Sequence, residues 1–364
     1  MNLDPRLAQL RGPTAPTRHN ARTIAALTSN PGCARRALLD TAGVDKEALA
    51  RHIGYPAPFG QSRFAITRGN AFEARVKEDG CAELLRLLRE VLGLEEGEVT
   101  YANLEEIPGD GLDLRSSRSE QLLTGAGAAG TLFDHPLLRL PVAGQQVYLE
   151  PDLVAFQHDG VFRVVEVKSF PVIDGQADPA KVAAAAIQSA VYVLALRRLL
   201  GSDDAVSAEV VLVCPENFSN RPVATRVDVR RQLLVLAHQL ARLTRVETLL
   251  DGVPTGLTLD LAPAADGRPT RPAGELVDAL ATLDARYAPG CLSTCDLGFF
   301  CRREASGRTA TLGTAVREQL GGVETVAAAL DIAAGTTPVT DDQAEVAAAL
   351  RTTARVYADA LARG

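Results

Sequence analysis

Tryptophan is missing from this 364-residue chain, methionine occurs once, and only four of its 38 basic residues are lysine: Lys46, Lys77, Lys168 and Lys181. Such a bias, with Ala and Gly abundant, is that of a GC-rich coding sequence, in which arginine replaces any lysine whose task it can perform. A retained lysine then marks a position that needs a compact ammonium whose pKa can move. No run approaches 18 apolar residues, so a membrane span is not expected. The N-terminus lacks the apolar stretch of a secretory signal. The expected setting is therefore cytoplasmic and reducing, where the six cysteines read as metal ligands before disulfides. Apolar residues at 46% and charged residues at 23% exclude disorder over the whole chain. The length corresponds to two to three domain equivalents, or to one large domain with additions.

Positive charge is also short overall. The net charge of −7 excludes a uniformly basic nucleic-acid coat, but residues 1–70 carry +6 and the remainder −13. The N-terminal fifth is the part suited to meeting an anion.

The spacing of apolar residues predicts a helix from about Pro31 that carries Cys33, Arg35 and Arg36, and another from Gly69 to Val91. Two strand-like runs, Gln146–Phe156 and Val161–Phe170, flank the turn signal His158-Asp159-Gly160. A strong helix covers 179–200, opened by Pro179. Strands are expected over Ala208–Cys214 and Ala224–Val229, then a helix over Arg230–Leu250. Residues 252–274 read as a connection, 274–286 as a helix, and 310–334 and 340–362 as an Ala-rich helical tail. Helices alternating with strands give an α/β sheet with helices packed on it.

The residues that carry chemistry lie in the hairpin. Asp152 of Glu150-Pro151-Asp152 precedes Glu166 of Glu166-Val167-Lys168 by 14 residues, a spacing that brings adjacent strands side by side. Glu166 and Lys168, two apart, share one face of their strand. Val164, Val165 and Val167 frame them, and burying charge in such a frame is costly unless it is paired or metal-bound. Two carboxylates on neighbouring strands can hold Mg²⁺, a hard ion that takes oxygen ligands. The ion in turn acidifies water and stabilises charge on a phosphate. A lysine alongside can orient that water; arginine does not readily give up a proton there.

These motifs resemble the PD-(D/E)XK nuclease superfamily in its RecB-like branch. Pro151-Asp152 matches the PD element and Glu166-Val167-Lys168 the ExK element. Gly69-Asn70-Ala71-Phe72-Glu73 is similar to the first motif of the branch, with Phe72 where the family has a metal-binding histidine. Gln188 and Tyr192 match the QxxxY motif and lie four apart on one helix face. The resemblance implies a restriction-endonuclease-like core, a mixed central sheet flanked by helices, with helical N- and C-terminal additions. It implies Asp152, Glu166 and the Val167 carbonyl on Mg²⁺ or Mn²⁺, with Glu73 completing the site. Lys168 would position water, and Gln188 and Tyr192 would orient substrate. Phe72 leaves two outcomes open, a Glu-based variant of the site or a weakened nuclease.

Cys291, Cys295 and Cys301 fall within 11 residues and ask for a fourth ligand, for which Cys33 is the natural candidate. This one-plus-three order is similar to the iron–sulfur staple of RecB-like exonucleases, including the CRISPR-associated group and the AddB nuclease domain. The resemblance covers residues 31–303 and implies a 4Fe–4S cluster tying both ends around the core. Zinc is the alternative. The triplet departs from the family in opening Cys-x3-Cys where Cys-x2-Cys is usual. Cys81 and Cys214 read as packing residues. Arg18, Arg22, Arg35 and Arg36 around Cys33, with Arg302 and Arg303 after Cys301, form the expected DNA-binding patch.

The expected organisation is a basic arm with the first cysteine over 1–68, a nuclease core over 69–252, a connection and cysteine segment over 253–308, and a helical tail over 309–364. The expected activity is Mg²⁺- or Mn²⁺-dependent hydrolysis of single-stranded DNA or DNA ends, in DNA repair or defence against foreign DNA. A helicase or other repair or defence protein is the expected companion, because the chain has no Walker A motif. The alternatives are a DNA-binding module that has lost catalysis and a zinc-stapled scaffold.

Overall fold

The structure is a computed structural model that describes residues 5–17, 19–57, 63–95, 97–104, 111–127, 130–142, 145–149, 153–217, 219–243 and 250–362. The chain opens with short helices: α1 (Pro5–Arg11), α2 (Ala21–Ser29), α3 (Ala34–Ala42) and α4 (Lys46–His52). Then come α5 (Arg63–Val76) and α6 (Glu78–Leu92). Strands β1 (Val99–Asn103) and β2 (Gly130–Asp134) bracket α7 (Leu112–Thr124). A hairpin of β3 (Leu138–Val142) and β4 (Gln145–Leu149) leads to β5 (Leu153–His158) and β6 (Val161–Val167). A two-residue hairpin, β7 (Val172–Ile173) with β8 (Gln176–Ala177), precedes α8 (Pro179–Leu200). After it come β9 (Glu209–Pro215), β10 (Pro222–Asp228) and α9 (Arg230–Leu243).

The architecture is α/β. Six strands form a mixed sheet in the order β1-β2-β5-β6-β9-β10, flanked by helices. β1 and β2 are parallel, as are β6 and β9; the other neighbours are antiparallel. The β5–β6 turn is two residues, Asp159 and Gly160, with φ of 52° and 75°. Asp-Gly is the dipeptide that tolerates two successive left-handed residues, and the twist of such a turn matches that of the strands. α8 makes the crossover that a parallel β6–β9 pair requires.

Strand alternation assigns the two faces. Val165, Val167, Val211 and Val213 pack with Phe72, Val76, Leu84 and Leu88 of α5 and α6. Phe162, Val164 and Val210 pack with Ala190, Val191 and Leu196 of α8, and with Ile24 of α2 and Leu236 of α9. Each fully buried Leu or Val contributes about 1.5–3 kcal/mol, so α8 is fixed by this apolar face. Its ends are set locally. Asp178 accepts from the Ala180 and Lys181 amides, Pro179 stands in the first turn, and Gly201 closes the helix at φ 67°. By length and composition α8 would pass for a membrane span, against the sequence expectation, but half of it is buried inside the protein. It is the core helix of the sheet.

A second core joins the two ends of the chain. Leu7, Leu10, Leu38, Leu39 and Leu49 of the first helices pack with Leu276, Leu280, Leu283 and Phe300. A third, small core of Val323, Ile332 and Ala347 holds the tail. Its last helix, Ala344–Ala362, is largely exposed.

Several expected elements differ. The helix over 69–91 is two, broken after Val76, with Asp79, Gly80 and Cys81 at positive φ. The run 146–156 is divided between two sheets: β4 pairs with β3, and β5 joins the main sheet. Residues 150–152 between them lie outside the described residues. Glu150-Pro151-Asp152 interrupts the apolar stretch, but nothing in either run names the strand it pairs with.

Candidate active site

The C-terminal ends of β2, β6 and β9 and the N-terminal end of β5 lie at one edge of the sheet. Glu166 is the charged residue inside it. Its register partners are Leu153 on β5 and Leu212 on β9, and it is 0% exposed. It shares the parity of Val164, so it faces α8. Lys168, just past the strand end, donates a backbone N–H to Val213 O at 2.9 Å. Its Nζ meets Glu166 Oε1 at 2.5 Å. The sequence expectation that these two share a face holds.

Asp152 lies outside the described residues. Leu153, the next residue in the chain, is paired with Glu166. Val167 is buried in the opposite, α5–α6 face. Gln188 and Tyr192 form a pair on α8, with Gln188 Nε2 donating to the Tyr192 hydroxyl at 3.3 Å. Ala185, one turn earlier on the same stripe, packs with Leu212 and Cys214, beside Glu166. The stripe thus lies over the Glu166 face, with Tyr192 1% exposed. The Cys214 thiol, desolvated there, is pushed up to about 12 and is inert packing, as expected.

α5 closes the same edge from the other side. Arg68 donates to the Ser169 carbonyl at 2.7 Å, tying the helix to the residue after Lys168. A shallow cleft between them is lined by Arg68, Phe72, Ser169, Pro171, Pro215, Ser219 and Asn220. Phe72 is 2% exposed and belongs to the apolar core. Glu73 does not join Glu166. Its carboxylate takes Lys77 Nζ at 2.6 Å, and the same ammonium reaches Asp134 at 2.7 Å.

Glu73, Lys77, Asp134, His135 and Tyr101 make a second polar cluster that sequence reading missed. Tyr101 donates to Asp134 at 2.8 Å, and His135 Nδ1 lies 3.2 Å from it. His135 Nε2 is 3.8 Å from Glu73. His135 has φ 52°. Burial alone would raise the Asp134 pKa, but the bonds from His135, Lys77 and Tyr101 outweigh it and hold the carboxyl well below its usual range. The Lys77 ammonium is raised in turn, its two carboxylates overcoming desolvation. The three lysines other than Lys168 read from the sequence as surface residues, and two are corrected: Lys77 is held in this cluster, and Lys46 is half-buried, paired with Asp40 beside Arg36. Of the four lysines, Lys181 alone is exposed.

The cysteine segments do converge. Cys33 precedes α3; its neighbour Asn30 donates Nδ2 to Cys291 Sγ at 3.1 Å, and Arg35 donates Nη1 to Cys301 Sγ at 3.3 Å. Cys291, Cys295 and Cys301 are buried in the core that joins the chain ends, and Cys33 is partly buried. Burial pushes the Cys301 thiol up to about 12 and raises that of Cys295. Four thiols are the right donors in kind for an iron–sulfur cluster or zinc. Yet among the described residues no three His, Cys, Asp or Glu side chains form a group able to hold a metal ion. The backbone convergence is present, and the thiols do not make a ready ligand shell.

The expected arginine patch is corrected in part. Arg35 and Arg36 are 3% and 5% exposed. Arg35 pairs with Glu304 and donates to Leu283 O, and Arg36 bonds Asp40 and Thr294 O. They knit the N-terminal helices to the cysteine segment and are not offered to a phosphate backbone. Arg302 and Arg303 are exposed. Arg18 and the Arg22 side chain lie outside the described residues.

Comparison with protein-family models gives no match, and comparison with curated proteins finds no significant relative.

Proposed function

We propose that this chain is a metal-dependent DNA nuclease of the RecB-like PD-(D/E)XK kind, hydrolysing phosphodiester bonds of single-stranded DNA or DNA ends. The observation that carries the reading is Glu166. It is a carboxylate with no exposure, in a central strand, paired with Lys168 at the strand end and in register with the residue after Asp152. A core position has no stability reason to hold an ion pair, since apolar residues of similar size serve as well or better.

Asp152, Glu166 and the Val167 carbonyl would hold Mg²⁺ or Mn²⁺, oxygen donors suited to a hard cation. When bound, such an ion supplies an acidified water and charge stabilisation at the phosphate. Lys168, held by Glu166, would hydrogen-bond the attacking water and offset charge on the phosphoryl oxygens. Gln188 and Tyr192, on the stripe over Glu166, would fix the side chains around it. Glu73, engaged by Lys77, would support the site from outside. Cys33, Cys291, Cys295 and Cys301 would hold a 4Fe–4S cluster, or zinc, after their side chains turn toward one another. Arg302 and Arg303 would contact DNA. Repair or defence, beside a helicase, is the matching role.

Phe72 favours a second reading, a DNA-binding module without catalysis, because the side chain in the family's histidine position is committed to the apolar core. Cleavage of labelled oligonucleotides with Mg²⁺ or Mn²⁺ decides between them. The nuclease reading expects cutting by the wild type and none by Lys168→Ala or Asp152→Ala. Binding by all three without cutting would establish the second. Iron, sulfide and zinc analysis of anaerobically purified protein tests the cysteine assignment separately.

A further inference from the structure

The cleft between α5 and the end of β6 has walls that are fixed on both sides. On one side Arg68 donates Nη2 to the Ser169 carbonyl at 2.7 Å. Gly69 lies against the same residue, where a Cβ would stand 3.7 Å from the Ser169 hydroxyl. On the other side the β9–β10 turn is strapped to the β7–β8 hairpin. Asn217 donates its backbone N–H to Val172 O at 2.9 Å, and its side-chain oxygen accepts from the Asp174 N–H at 2.9 Å. The cleft is therefore a preformed feature of the sheet edge.

Its charge has one sign. Arg68 is the charged residue of the lining, and no carboxylate borders the cleft. Glu216, next in the chain to the lining residue Pro215, is turned to Arg221 at 3.4 Å. Phe72, Pro171 and Pro215 supply apolar surface, and Ser169, Ser219 and Asn220 supply polar groups. The Ser219 hydroxyl is spent on the Glu216 carbonyl and the Arg221 N–H. Asn220, beside it, is exposed. Arg68 is exposed too, and its bond to Ser169 uses one nitrogen, Nη2. A tether to a carbonyl needs a single donor. A guanidinium held by that donor keeps the rest of its planar fork for a second acceptor, and the fork matches the oxygens of a phosphate. Place separates Arg68 from the other exposed arginines. Ser169 follows Lys168 in the chain, so Arg68 is fixed one residue from the ammonium that meets Glu166.

We propose that the Arg68 cleft is a phosphate subsite, holding a phosphate of the DNA strand beside the one that reaches Glu166 and Lys168. The proposal rests on the nuclease reading for the identity of the anion. Arg68 binds the phosphate oxygens, and Asn220 adds an amide N–H from the facing wall. Such contacts set the register of a strand without reading its bases. The phosphate is an internal diester or a terminal monoester, since both present the same oxygens.

The test is binding of a fluorescent oligothymidylate in EDTA, over a range of salt, followed by anisotropy. Full-length wild type is compared with Arg68→Ala, Arg68→Gln and Arg75→Ala. Arg75 is an exposed arginine two turns further along α5 and does not line the cleft. One lost phosphate contact lowers the slope of log affinity against log salt by about 0.7 and weakens binding about tenfold. Arg75→Ala keeps the wild-type slope. Arg68→Gln keeps an N–H for the Ser169 carbonyl and removes the charge, so it separates the phosphate contact from the tether. Circular dichroism melting shows that the variants are folded. A wild-type slope in Arg68→Gln, or equal losses in Arg68→Ala and Arg75→Ala, overturns the proposal. Oligonucleotides with a 5′-phosphate, a 3′-phosphate or neither tell the two sources apart. An equal loss on all three assigns the internal diester, and a loss confined to one assigns that terminal monoester. Cleavage by wild type in Mg²⁺ or Mn²⁺ is read separately. Cutting with an unchanged slope in Arg68→Gln sinks the subsite and keeps the nuclease. A slope that depends on Arg68, without any cutting, keeps the subsite and sinks the nuclease.

Discussion

Two lysine–carboxylate groups meet at one edge of the sheet, on opposite faces. On the α5–α6 face, Lys77 joins Glu73 and Asp134, with Tyr101 and His135 adding bonds to Asp134. On the α8 face, Lys168 meets Glu166. The first group ties helix α5 and the break before α6 to the end of β2 through several bonds at once. It has the form of a closed structural network, in which each charge offsets the desolvation of another. The second joins a carboxylate with no exposure, inside a central strand, to a lysine just past that strand's end. A fully buried carboxylate beside a partly exposed lysine at a strand end is where function is to be sought. The same pair of residue types is thus shared by an enclosed network on one face and by a strand end on the other.

Substitutions at the two lysines should pull the groups apart. On the proposed nuclease reading, Lys168→Ala lowers cleavage at least on the order of 10²–10³-fold, to no detectable cutting, the loss expected when a preorganised charged donor leaves a reacting centre. The melting temperature changes little, so single-turnover rates and calorimetry on one preparation check the split. Lys77→Met does the reverse: removing the cation strands Asp134 and costs about 3 kcal/mol in urea unfolding. A Lys77→Met protein as stable as wild type would show that the α5–α6 network is not structural. Phe72→His introduces an imidazole into the apolar cluster with Val76 and Val165 and costs about 1–3 kcal/mol. If cleavage rises in spite of that loss, position 72 belongs to the site.

The smallest effect is that of pH. Asp134 has a folded-state pKa below its unfolded value, so its contribution is full above the unfolded pKa of about 3.9 and is lost as pH falls below it. Tyr101→Phe removes one of its donors and lowers stability at neutral pH by about 1 kcal/mol. The difference between variant and wild type holds through the usual carboxylate range, because the folded Asp134 carboxyl stays ionised there. Denaturation midpoints measured from pH 7 to pH 3 check this. A difference that closes between pH 5 and pH 3 would mean that folded Asp134 titrates in the ordinary range.

Much of this fold can be read from the chain. α8 is legible because local chemistry sets both ends, Asp178 and Pro179 at one and Gly201 at the other, and its observed limits are the expected ones. The β5–β6 turn is legible because Asp159-Gly160 admits one kind of turn. The shared face of Glu166 and Lys168 follows from the period of a strand alone. The division of 146–156 between two sheets is not legible, since both runs are apolar enough for a strand and the partner is chosen by residues outside them. Nor is the break before α6, because Val76, Leu84 and Leu88 keep apolar spacing on both sides of it.

The sequence by itself determined which residues are chemically equipped: a carboxylate and lysine on one strand face, four thiols in two segments, and arginines near both segments. Composition and period are local properties, and these assignments needed nothing more. Only the tertiary structure decided which of them are spent on the fold. Arg35 and Arg36 are charged in the sequence and buried in the protein, and Lys46 and Lys77 are held half-buried in ion pairs, because neighbouring elements close over them and supply partners. Arg302 and Arg303 stay in solvent, because the core that joins the chain ends is filled by Leu283, Tyr287 and Phe300 beneath them. Burial depends on what packs from elsewhere, and for a long charged side chain no neighbouring residue announces it.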